Sequence, residues 1–250
     1  VLRVVVVESP QRAGELAGEA VAAVVAAAER PVLGLATGSS PRPVYRDLAR
    51  RVHDGSLSLA RTRAFLLDEY LGLSSEDPRS YRVEIEREVV ERTDLPSAAV
   101  RGLDGAAEDV EAECSAYERT IRGAGGIDLQ LLGVGTDGHI GFNEPGSALD
   151  SRTRPLELAP RTRQDNARFF GDDAEQVPTH CLTQGIATIL EAGELLLLAF
   201  GDSKAEAIRQ AVEGPVTERW PVTALLRHPH ATVVVDRAAA SLLERADSSA

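Results

Sequence analysis

Six apolar, largely β-branched runs recur along this chain: Leu2–Val7, Val32–Leu35, Ala64–Leu67, Leu129–Val134, Leu195–Phe200 and Thr232–Val235. Between most of them lie segments with helical spacing. Gly14–Glu29 is alanine-rich with acidic residues toward its start, and Pro41–Val52, Tyr81–Val90, Glu108–Ile121 and Ala205–Val212 read as amphipathic helices. Strands alternating with helices in this way specify βαβ units. The pattern predicts an α/β fold: a doubly wound, mostly parallel, Rossmann-like sheet flanked by helices. No linker or repeat divides the 250 residues, so a single domain over 1–250 is expected, with a small, polar tail at 246–250 that frays.

Ligands of such sheets bind beyond the carboxyl ends of the strands. Four strand ends carry notable side chains. After Leu129–Val134, three titratable groups, Asp137, His139 and Glu144, fall within eight residues among turn-forming glycines. A histidine between carboxylates at a strand end suits oriented proton transfer, although Asp137-Gly138 is also an ordinary turn pair. The loop offers no second histidine, which argues against a metal site.

The run Ala36-Thr37-Gly38-Ser39-Ser40-Pro41 passes from strand into helix. Ser40 reads as an N-cap and Pro41 as the first helical residue. Free N–H groups and three hydroxyls there form a candidate oxyanion cradle, but the P-loop ending is missing. Asp68 and Glu69 directly follow Ala64–Leu67. At least one of these carboxylates is expected at a pocket rim, where partial burial makes it a better base; the plainer reading is an acid facing water.

Of 27 basic residues, one is a lysine, Lys204, just past Leu195–Phe200. Ser203 and Glu206 have capping-box spacing, which places Lys204 in a first helical turn against the helix dipole. A bound anion would relieve that conflict. The stretch Arg161–Phe170 reads as a basic helical segment: either a plain surface helix in which Arg161 and Asp165 pair, or a lid, within about 158–177, whose Arg168 clamps an oxyanion.

The net charge of −12 argues against nucleic acid and anionic membranes as partners, and requires local cations wherever an anion binds. Two cysteines without metal-type spacing, no signal-peptide pattern and no apolar stretch long enough to span a bilayer suggest a reduced, cytoplasmic protein.

Taken together, LGLATGSSP, LLDEYLGL, GVGTDGHIGFNEPGSALDSRTR, TRQDNARFF, GDSKAEAI and AVEGPVTERWPVTALLRHP resemble the glucosamine-6-phosphate deaminase/isomerase family, in family order over about nine-tenths of the chain. The resemblance implies that Asp68 is the base moving a proton between C2 and C1. It makes His139 the ring-opening histidine, with Asp137 and Glu144 as its orienting carboxylates. Thr37, Gly38, Ser39 and Ser40, with Arg168 and Lys204, would hold the 6-phosphate. The substrate is then an amino-sugar phosphate, and no cofactor is needed.

Related 6-phosphogluconolactonases share Asp-Gly-His but differ just after the histidine, so lactone hydrolysis is the alternative chemistry. Galactosamine 6-phosphate is an alternative substrate, and a sugar-phosphate sensor is the non-enzymatic alternative. The allosteric, hexameric branch of the family has a lysine where Leu156 stands, and a C-terminal extension beyond the end of this sequence. Weak or absent activation is therefore expected, and both a monomer and a homo-oligomer stay open.

Overall fold

The computed structural model describes residues 2–244, so the expected fraying of the tail at 246–250 lies outside the described residues. The chain runs β1 (Arg3–Val7), α1 (Pro10–Ala27), β2 (Val32–Leu35), α2 (Arg42–His53), β3 (Arg63–Leu66), β4 (Asp68–Tyr70), α3 (Tyr81–Glu88), β5 (Val100–Arg101) and α4 (Val110–Gly123). It continues through β6 (Leu129–Leu132), β7 (Arg154–Glu157), α5 (Pro160–Asn166), β8 (His180–Thr183), α6 (Ile186–Leu190), β9 (Glu194–Ala199), α7 (Ala205–Glu213) and β10 (Ala231–Asp236). All six runs read as strands form strands.

Seven strands make one sheet in the order β1-β10-β9-β6-β2-β3-β5, and every pair in it is parallel. Both faces are covered, so the central strands are largely apolar, with Gln130 of β6 a fully buried exception. Alternate residues serve opposite cores: Val233 and Val235 enter one, Val234 the other; Leu195 and Leu197 enter one, Leu196 and Leu198 the other. One core includes Cys114, Tyr117 and Ile121 of α4 with Ala207, Ile208 and Ala211 of α7. The other includes Ala13, Ala17 and Val21 of α1 with Val44, Tyr45 and Leu48 of α2.

The order of strands matters for the site. β9, β6, β2 and β3 are consecutive neighbours. The four segments singled out at strand ends therefore emerge side by side along one edge of the sheet.

A second, three-stranded antiparallel sheet, β4-β8-β7, was not legible in the pattern. Its strands are three or four residues long and carry Asp, Glu, Arg and His, so they lack the apolar alternation that marks a strand. Beyond it Tyr70, Phe142, Leu158, Ala167, Phe170 and Val177 form a third, smaller core under the segment expected as a lid.

Helix starts differ from expectation in three places, one of them α4, which begins at Val110 rather than Glu108 after its N-cap Asp109. α1 begins at Pro10, four residues early, because the Ser9 side chain accepts the Arg12 N–H and proline fits the first turn. α2 begins at Arg42. Pro41 is its N-cap residue, already in the helical region, and Ser40 does not cap it.

Candidate active site

The largest group of expected residues meets in one cleft at the ends of β9, β6, β2 and β3. Thr37, Gly38, Ser39, Ser40, Asp68, His139, Arg168 and Lys204 all line it. Asp137 stands behind His139, and Glu144 lies to one side.

His139 is held by the shape of its loop. Asp137 Oδ1 lies 2.8 Å from His139 Nδ1 and also accepts the His139 backbone N–H at 3.2 Å. The ring contact is off the line of a straight N–H donor, so it is a charge contact more than a directed hydrogen bond. Burial alone would raise the Asp137 carboxyl, but its contacts with His139 outweigh burial and hold it down at about 2. Ring and carboxylate both rest over Gly135, where a Cβ would meet His139 Nδ1 at 2.2 Å. Gly138 has φ +83°, and its α-carbon faces Trp220.

The segment Thr217–Val222 braces this loop at both ends. Val222 N–H donates to the Gly138 carbonyl at 2.9 Å, and Gly146 N–H donates to the Glu218 carbonyl at 2.8 Å. Asn143 is fully buried and works inside the loop: its amide donates to the Ile140 and Gln184 carbonyls, and its oxygen accepts from Arg154.

Glu144 departs from expectation. Both its carboxylate oxygens accept the Ala159 N–H, at 3.0 and 3.1 Å, at the N-terminus of α5. Among the described residues no hydrogen bond joins it to His139. A carboxylate suits that helix end, and Glu144 thereby fastens the histidine loop to the segment expected as a lid.

Asp68 opens β4, opposite Thr183 of β8, and is buried. Its Oδ2 approaches the backbone of Gly141, two residues past His139, where a Cβ would stand 3.4 Å away. Burial, then the charges of Glu69 and Glu84, push the Asp68 carboxyl well above its usual range. Glu69 turns the other way. It accepts the N–H groups of Tyr70, Tyr81 and Arg82 and so ties β4 to the start of α3; burial still raises it to about 7.

Lys204 sits half-buried at the N-cap position of α7, after a 3₁₀ turn at Asp202–Lys204. The capping box does not form. Glu206 binds Arg209 and Gln210 instead. Burial lowers the Lys204 ammonium, with the Arg168 charge adding to the effect, while Asp165 and Asp137 partly oppose it. An anion between Lys204 and Arg168 would favour the charged form. Arg168 is exposed, with its guanidinium 4.7 Å from the Phe169 ring centre. Arg161 and Asp165 are 4.0 Å apart on the surface, as their spacing suggested.

Tyr81, Glu84, Phe142, Asn166 and Phe169 also line the cleft and were not singled out from sequence. Tyr81 stacks on Phe142 at 5.7 Å and 17°, giving the cleft an aromatic wall. Tyr81 and Glu84 lie on α3, whose pattern reads only as an amphipathic helix. The signal that could have found them is Glu69, whose carboxylate draws the start of α3 to the site.

A profile described as glucosamine-6-phosphate isomerases/6-phosphogluconolactonase matches residues 8–235. The chain belongs to this family. Among relatives of the glucosamine-6-phosphate isomerase/6-phosphogluconolactonase family, it is 55% identical to a glucosamine-6-phosphate deaminase of Beutenbergia cavernae, over 98% of this chain and 94% of that one. It is 53% identical to the corresponding protein of Mycolicibacterium smegmatis with the same coverage. Among solved structures, one described as a monomeric glucosamine-6-phosphate deaminase superposes with a TM-score of 0.93 at 42% identity, covering 96% of this chain and 99% of that one. A 6-phosphogluconolactonase from Leishmania guyanensis shares the fold, with a TM-score of 0.75 at 21% identity, covering 98% and 100%.

Within the family frame two further features are clear. Arg152, in the Ser-Arg-Thr-Arg stretch, is committed to Glu118 and Glu191, and Glu118 also accepts from Thr153 and Thr188. No described helix is long and apolar enough to cross a membrane.

Proposed function

We propose that this protein is a glucosamine-6-phosphate deaminase, converting glucosamine 6-phosphate and water to fructose 6-phosphate and ammonia. The observation that carries the reading is the meeting, in one cleft, of a buried high-pKa carboxylate, an imidazole backed by a carboxylate, and a cradle with two cations. The names of the full-length relatives support it.

In this reading the 6-phosphate sits among Thr37, Gly38, Ser39, Ser40, Arg168 and Lys204. That grip fixes the reacting end without touching it. His139 takes the C1 hydroxyl proton and returns one to the ring oxygen, opening the pyranose. Asp137 balances the charge that develops on the imidazole. Asp68 then removes the C2 proton, made acidic by the C1 carbonyl, and delivers it to C1. The resulting C2 iminium adds water and expels ammonia. Every step is a proton transfer or hydrolysis, and the residues present supply the acids and bases. Glu144 acts through the loop rather than on the ring. Its bond to Ala159 couples the histidine loop to residues 158–177, which close over the phosphate as a lid.

The commitment of Arg152 to two carboxylates supports weak or absent activation by a second sugar phosphate. The two unpaired, buried cysteines support a cytoplasmic setting.

The test offers the purified protein three substrates. Ammonia and fructose 6-phosphate in equal amounts from glucosamine 6-phosphate are expected. Acid release from 6-phosphogluconolactone with no ammonia would replace the reading by lactone hydrolysis. Faster ammonia release from galactosamine 6-phosphate would change the C4 preference alone.

A further inference from the structure

The cradle expected to bind phosphate already holds an anion. Glu84, on the face of α3 toward the cleft, accepts the Gly38 N–H on Oε1 at 3.0 Å. The same oxygen lies 3.5 Å from Arg42 Nη2, in the first turn of α2. The Glu84 side chain is only 14% exposed, so it is not a surface acid that happens to lean inward. Arg42 is under-used, because its Nε is buried with no hydrogen-bond partner.

The carboxylate therefore has two seats. One is the Gly38 N–H, inside the cradle. The other is the edge of Arg42, where Nε and Nη2 offer the paired donors that a carboxylate accepts. A phosphoryl group entering the cradle needs the first seat. Two anions at hydrogen-bond range of one N–H repel, and the repulsion grows as the cleft desolvates.

We propose that Glu84 is a displaceable anion, holding the Gly38 N–H while the cleft is empty and driven onto Arg42 by an arriving phosphoryl group. This rests on the sugar-phosphate reading only in that the cradle takes a phosphoryl group. The affinity of the site is then set by competition, because every phosphoryl ligand must first move Glu84. Arg42 contributes by receiving Glu84, without touching the ligand.

The experiment titrates inorganic phosphate into the protein by calorimetry, which needs no turnover. Glu84→Gln keeps the size and an acceptor for Gly38 but removes the charge. Phosphate Kd is expected to fall by about 5- to 20-fold, the scale of one screened like-charge contact. Glu84→Ser is a second variant expected to move the same way. Arg42→Gln is expected to weaken phosphate binding several-fold in the wild-type background and to have no effect in the Glu84→Gln background. Unchanged or weaker phosphate binding in both Glu84 variants overturns the proposal. Equal weakening by Arg42→Gln in both backgrounds also overturns it, since Arg42 would then bind phosphate directly. Phosphate affinity that follows Glu84 without any ammonia release would reject the deaminase reading and leave this one standing. Ammonia release with phosphate affinity indifferent to Glu84 would do the reverse.

Discussion

Asp137 Oδ1 lies 2.8 Å from His139 Nδ1, and the two side chains share the space above Gly135 that a Cβ would otherwise fill. The carboxylate sets a negative charge directly against the ring. Asp137→Asn is expected to keep the shape and lose the charge. We expect kcat to fall by roughly 10²-fold, with KM changed by less than about threefold, since no substrate contact is removed. Steady-state kinetics on glucosamine 6-phosphate measure this, and a full wild-type kcat would reject the pairing as functional.

Gly138→Ala tests the brace behind that loop. Its φ of +83° strains any L side chain, and the new Cβ would meet Trp220 Cε3 at 2.5 Å. A loss of about 2 kcal/mol or more is expected from strain and overlap together. Chemical denaturation measures it, and Trp220, the only tryptophan in the sequence, reports the loop directly by fluorescence. A change below about 0.5 kcal/mol, the scale of an ordinary surface substitution, would mean that the loop is not held as described.

Glu69 makes the protein's stability depend on pH. Its carboxyl is raised from 4.5 to about 7, so the folded state holds a proton that the unfolded chain releases. That contribution is fully present below the ordinary glutamate pKa and is lost as pH rises through 7. Relative to Glu69→Gln, the wild type should lose about 3 kcal/mol between pH 4.5 and pH 7. Denaturation of both proteins across that range measures the difference; parallel curves would contradict it.

The sole lysine tests the anion grip. Lys204→Gln is expected to raise KM by roughly 10- to 100-fold, the worth of one charge-assisted hydrogen bond. Lys204→Arg should recover little of this. A planar guanidinium at the end of a longer side chain does not place its charge where the compact ammonium of half-buried Lys204 lies. Wild-type KM in the glutamine variant would remove Lys204 from the grip.

What the sequence made legible follows its periodicity. Six of the seven strands of the parallel sheet are covered on both faces and appear as mainly apolar runs, and the segments at their ends could be placed by the general rule for such sheets; the edge strand β5, only Val100–Arg101 with Arg101 exposed, leaves no such run. The side chains Asp68, His139 and Lys204 could thus be expected near one another before their contacts were known. Glu144 was misplaced because proximity in sequence says nothing about direction. Its carboxylate turns to the N–H of Ala159, a partner fifteen residues on. Glu84 and Tyr81 were invisible because α3 shows only an ordinary amphipathic pattern, and their part in the cleft depends on how Glu69 docks that helix. The capping box at Ser203 and Glu206 failed because a 3₁₀ turn at 202–204 begins the segment early and Arg209 competes for the glutamate.

In the proposed reaction Asp68 is the group that carries a proton from C2 to C1. Asp68→Asn removes the base while leaving Ser40, Arg168 and Lys204 intact. The direct measurement is ammonia release from glucosamine 6-phosphate by this variant, alongside its affinity for inorganic phosphate. We expect turnover to fall by about 10³-fold or more, with phosphate binding little changed. Turnover near the wild-type rate, with the same affinity, would contradict the assignment.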